Sequence, residues 1–207
     1  MALITQEQMQ QVLSTCYDKA LNGLPSIKGV PTSKGVVEFA KEYQAKYATP
    51  QIAANELVKI QILKCGTSGF VTGFGGFITL PVTVPANIAS VLYVQLRMIA
   101  AIAYLGGYDP RDDAVQTMVY LCLVGEAVAD VLKQTGIKVG NKLAMSALKS
   151  LPGKVLTKIN QKVGFRLLTK FGQTGVINLV KVIPVAGAVV GAGFDVVSTK
   201  VIAKQAI

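Results

Sequence analysis

The sequence predicts an all-α protein, a compact multi-helix bundle whose apolar helices are broken by proline and glycine. Three observations carry that expectation. Helix start and stop signals follow one another with few strand-like alternations between them. Hydrophobic residues make up 51% of the 207 positions and charged residues 15%, against about 25% charged in ordinary soluble domains. The apolar character is also concentrated: residues 65–96 hold no charge in 32 positions, and residues 182–194 none in 13. A chain this long can bury a core without disulfides or metals and suits a single domain.

The elements follow from local signals. Thr5 with Gln8 three residues on is a capping-box pattern, and Met9, Val12, Leu13, Cys16 and Ala20 form one apolar helical stripe until Asn22-Gly23 ends it. After a loop holding Pro25, Gly29 and Pro31, Ser33 reads as the N-cap of a second helix through Tyr47. Thr49-Pro50 supplies an N-cap and first-turn proline for a third, which runs to Lys64 and stops at Gly66. The Gly-rich stretch from Cys65 leads to Pro81 and Pro85, and a helix is expected from about Val84 to Leu105, closed by Gly106-Gly107. Asp109-Pro110 reads as the next start, with Asp112 and Asp113 in the first turn, giving a helix to about Gln134 that would be the longest. Lys154, Lys158, Lys162, Arg166 and Lys170 recur every four residues, so on a helix they form one ridge. Val155, Ile159, Val163, Leu167 and Phe171 form an apolar ridge beside it. Pro81 and Pro184 each open an apolar run that ends 16 residues later in a basic residue, Arg97 or Lys200. This echo suggests two related helical hairpins.

The net charge of +10 lies mostly in the second half. Between Val131 and Phe194 there are ten Lys or Arg and no acid. A one-signed block of that length is a surface for phosphates, of lipid or of nucleic acid. Nucleic acid fits less well, because the ridge lacks interleaved aromatics and no helix-turn-helix or zinc pattern stands out. Cys16, Cys65 and Cys122 are odd in number and widely spaced, which argues for buried thiols and against a disulfide framework. Met1 to Gln11 lacks the apolar region of a signal peptide.

Histidine is absent, which removes the commonest general base and metal ligand together. No phosphate-binding loop occurs, Gly73, Gly75 and Gly76 miss the dinucleotide fingerprint, and Gly66-Thr67-Ser68-Gly69 is no nucleophile elbow. Glu126 and Asp130, four apart, would share a helix face but have no third ligand nearby. No catalytic residue, cofactor or metal is therefore expected. Arg97 and Asp195 each stand alone in a long apolar helix, where an unpaired charge is costly. They are read as a buried polar pair, with Asn87 and Gln95 completing a network, ahead of the other reading, a ligand site. Gly69 with Gly73, and Gly187 with Gly191, are small-xxx-small spacings that let helices approach closely.

GFGGFITLPVTVPANIASVLYVQLRMIAAIAYLGGYDPRDD, followed by VIPVAGAVVGAGFDVVSTKVIAKQA, resembles the EcsC family of bacterial proteins. The likeness runs from about Glu56 to Ala206. It is carried by Leu80-Pro81 with Pro85, Arg97-Met98-Ile99, Gly107-Tyr108-Asp109, and Ile183-Pro184 with Gly187, Gly191 and Asp195. The resemblance implies one helical, hydrophobic domain over residues 1–207, with 1–55 as N-terminal helices and 56–207 as the family core, in the context of the cell envelope. It implies no reaction or substrate.

Two function classes follow. In the first, the chain is a non-catalytic, membrane-associated protein of the bacterial envelope, cytoplasmic and peripheral to or partly inserted in the inner membrane. Residues 65–96 and 182–194 would enter or lie in the bilayer, and the ridge at Lys154, Lys158, Lys162, Arg166 and Lys170 would bind anionic lipid, with an envelope protein as a further partner. In the second, it is a soluble helical protein that holds a lipid or other apolar ligand in an internal pocket. An unusual enzyme and a toxin-like pore rank behind these.

Overall fold

The computed structural model describes residues 4–25, 33–65, 86–137, 145–177 and 206. Within them the chain is a helical bundle, and the only β pairing is a single antiparallel bridge between Leu24 and Ser33. Helix α1 spans Gln6–Asn22, α2 Val36–Lys46, α3 Pro50–Cys65 and α4 Ala86–Leu105. Helix α5 spans Asp113–Leu123, α6 Val128–Gln134, α7 Met145–Lys149 and α8 Gly153–Ile177. The expected hairpins around Pro81 and Pro184 lie outside the described residues.

Helix α1 begins as its sequence dictates. The Thr5 hydroxyl accepts from the Gln8 backbone N–H at 3.2 Å, and the Thr5 N–H donates to Gln8 Oε1 at 2.8 Å, so two orphan donors are satisfied reciprocally. The apolar stripe, joined by Tyr17, is buried along its length. The helix ends at Gly23, whose φ of +82° favours glycine, and a side chain there would meet the Ser33 carbonyl at 2.3 Å.

The second helix departs from expectation. Its N-cap is Gly35, not Ser33. The Ser33 hydroxyl is instead 2.6 Å from the hydroxyl of Tyr93 on α4, while its backbone pairs with Leu24. Gly35 sits so close to the end of α1 that a Cβ would lie 2.4 Å from the Leu21 carbonyl. Helix α3 starts at Thr49-Pro50 as read, with the Thr49 Oγ1 accepting from the Ile52 N–H at 3.3 Å.

Helix α4 is the hub, packing against α1, α2, α3 and α5. It is apolar nearly all round, the pattern of a helix enclosed by others. Leu92, Leu96, Met98, Ile99 and Ala100 are buried in the same core as Met9, Leu13, Leu57 and Leu121. The turn after α4 is tied back to α1 by the Tyr17 hydroxyl, which donates to the Pro110 carbonyl at 2.6 Å.

The long helix expected from Pro110 to Gln134 is two helices. Asp112, not Asp109, is the N-cap: its Oδ1 accepts from the Ala114 N–H at 2.9 Å, while Asp109 forms a local turn by accepting from the Arg111 N–H. Helix α5 then stops before Gly125, which takes a φ of +58°, and a 3-10 turn over Gly125–Ala127 leads into α6. A left-handed residue cannot continue a right-handed helix. The longest described helix is instead α8, with 25 residues.

Candidate functional site

Helix α8 carries the basic ridge. Its inner face, Leu156, Ile159, Val163 and Leu167, is buried against α1, α5 and α6. Lys154, Lys158, Lys162 and Arg166 stand exposed on the opposite side, as the four-residue spacing requires. Lys170 also lies on α8, but its side chain is outside the described set. Phe165, 48% exposed, adds an apolar ring to the ridge. Among the described residues, the ion pairs join Lys34 to Glu38 and Glu42, Lys59 to Glu56 and Lys149 to Asp112, so the four ridge cations have no acid beside them.

Helix α8 is also tied to α1 by a side chain. The Gln10 side-chain amide donates to the carbonyl of Asn160 at 2.9 Å and, at 3.4 Å, to that of Gln161. The Gln10 side chain fits there because residue 164 is glycine. Neither residue announces this role in the sequence: a polar residue on α1 and a glycine within α8 are unremarkable until the helices cross.

Arg97 is half-buried on α4 and faces α2. Its Nη2 donates to the Lys34 carbonyl at 2.9 Å, and its guanidinium carbon lies 3.8 Å from the centre of the Phe39 ring. Nε is buried without a hydrogen-bond partner among the described residues. Burial lowers its pKa, though a guanidinium keeps its proton. A backbone carbonyl and a ring face therefore meet part of the desolvation cost that the sequence suggested an acid would meet. Asp195 lies outside the described residues, as do Gly69, Gly73, Gly187 and Gly191. Gln95 is buried in α4.

Among the described residues no three of His, Cys, Asp and Glu gather as a metal would require. Glu126 falls in the 3-10 turn and Asp130 in α6, so the continuous helix that was to align them is absent. The Cys16 and Cys122 thiols are buried in the core and form no disulfide, and burial pushes both up to about 12. The Cys16 thiol donates weakly to the Ala89 carbonyl at 3.6 Å. Such thiols are poor nucleophiles.

One described helix is long and apolar enough to cross a membrane, over Ile88–Leu105, and 72% of that stretch is buried inside the bundle. Beside its C-terminal half lies a cavity of about 330 Å³, which reaches α3, α5 and α7.

The EcsC protein family model matches residues 2–207, N-terminal helices included, and the chain belongs to that family. No curated protein and no solved structure matches it.

Proposed function

We propose that this EcsC family member is a non-catalytic protein that docks on the anionic, cytoplasmic face of the bacterial inner membrane through α8, and there organises or assists an envelope system. The observation that carries the reading is the row Lys154, Lys158, Lys162 and Arg166, exposed on one face of a 25-residue helix with no acid neighbour among the described residues. Basic side chains near an anionic bilayer contribute about 1 kcal/mol each. Four of them would contribute about 4 kcal/mol, roughly a thousandfold in partition. Phe165 adds apolar area at the same face. The buried state of Ile88–Leu105 supports peripheral binding over insertion of that helix.

Vesicle co-sedimentation tests this. The protein should sediment with vesicles containing phosphatidylglycerol and stay in solution with phosphatidylcholine alone, and added salt should release it. Changing Lys154, Lys158, Lys162 and Arg166 together to Glu should abolish binding while the helical spectrum is kept. Equal binding to both vesicle types, or an unaffected quadruple variant, overturns the reading.

A further inference from the structure

The cavity beside α4 is a second feature, independent of the ridge. Its walls come from four helices: Ala54 on α3, Ile99 and Ile102 on α4, Met118 and Cys122 on α5, and Met145 on α7. Its volume of about 330 Å³ lies at the small end of the range for small-molecule sites, roughly 300–1,000 Å³. That admits a single aliphatic chain and is too small for a two-chain lipid. The wall is mostly apolar, with Gln51 and Tyr108 as its polar side chains, and its two methionines are unbranched side chains that adapt to a flexible guest. The lining aromatic is Tyr108, 40% exposed and therefore at the mouth.

The mouth carries a cation. Lys149 Nζ stands 5.9 Å from the centre of the Tyr108 ring. Met145 and Lys149 are four residues apart on α7 and share a face; Met145 lines the cavity, and Lys149 stands outside it, beside Tyr108. Lys149 is 3.5 Å from Asp112 Oδ2, a long contact between half-exposed groups. The other carboxylate oxygen of Asp112 is already committed to capping α5. A pair of that kind is weak, so the ammonium can turn to an anionic guest without loss of a strong bond.

We propose that this cavity binds a single medium-length acyl chain whose carboxylate pairs with Lys149. Calorimetric titration of the full chain with dodecanoate and with dodecanol tests it. The acid should bind, and bind more tightly than the alcohol by roughly fivefold, what an exposed ion pair is worth. Lys149→Gln should erase that preference. Ala103→Leu places bulk into the cavity from a half-buried position and should remove binding of both ligands, with folding checked by circular dichroism. The quadruple Glu variant of the α8 ridge should bind dodecanoate like the wild type. The proposal fails if dodecanoate does not bind, or if Lys149→Gln keeps the preference. It also fails if a folded Ala103→Leu variant binds unchanged, or if the ridge variant alone loses binding, which would place the ligand on α8.

Discussion

The crossing of α1 and α8 can be tested by changing Gly164 to Ala. A Cβ at position 164 would lie 1.9 Å from Gln10 Nε2 and 2.8 Å from its Cδ, so the Gln10 side chain must leave. With it go the 2.9 Å bond to Asn160 and the longer 3.4 Å contact with Gln161. One such bond is worth about 1 kcal/mol net, so the loss is about 1–2 kcal/mol. Against this, Ala is favoured over Gly in a helix interior by about 1 kcal/mol. Gly164→Ala alone should therefore be neutral to about 1 kcal/mol destabilising. In a Gln10→Ala background the clash is gone and only the propensity gain remains, so the same change should stabilise by about 1 kcal/mol. Urea denaturation of the four proteins should give a coupling energy of about 1–2 kcal/mol. Additivity to within about 0.5 kcal/mol would refute the contact, and with it the claim that Gln10 ties α1 to α8.

Other expectations rest on single groups. Cys16 and Cys122 ionise near 9.0 when exposed and near 12 in the core. Above that lower value the unfolded chain binds fewer protons, so stability should fall as pH rises from about 9 toward 12, by about 1.4 kcal/mol per pH unit for each thiol. Denaturation of wild type and Cys16→Ala across this window should show the steeper decline in the wild type, and parallel declines would disprove it. Thr5→Ala removes half of the capping box and should cost about 1 kcal/mol in a melting experiment; no change would show that the α1 start is held by tertiary contacts. If Arg97 pairs with Asp195, exchanging the two charges should restore part of the stability lost in either single reversal. A double variant no better folded than the singles would count against the pairing.

What the sequence revealed follows the range of each interaction. The start of α1 and its buried stripe are legible because cap, stripe and stop all lie within the helix or one residue of it. The ridge on α8 is legible for the same reason, since period four alone decides which side chains share a face. The start of α2 was misread because the Ser33 hydroxyl is taken by Tyr93, 60 residues on, which no local rule can anticipate. The break between α5 and α6 did leave a signal, a glycine inside a helical pattern, but glycine is tolerated in helices unless φ turns positive, as at Gly125. The need of Arg97 for a partner was legible, while its carbonyl and ring partners on and before α2 were not. The cavity was invisible because its walls come from four separate helices.

Helix α4 shows why apolar length alone does not separate a membrane span from a core helix. The stretch Ile88–Leu105 passes both tests. The neighbours decide between them. It shares one buried cluster with Met9, Val12 and Leu13 of α1, Phe39 of α2 and Leu57 of α3, three helices that it packs against. Moving α4 into lipid would uncover those faces, at about 1.5–3 kcal/mol for each large side chain left in water. Five such residues set a cost of about 8–15 kcal/mol, comparable to the whole stability of a domain. Insertion of α4 would thus require the bundle to open and its other apolar faces to find cover as well. Docking through α8 requires none of this, because Lys154, Lys158, Lys162 and Arg166 already face outward while α8 keeps its inner face on the core. The two routes differ in a measurable way. Docking leaves the Cys16 and Cys122 thiols buried and unreactive on the vesicle, whereas opening of the bundle exposes them to a thiol reagent.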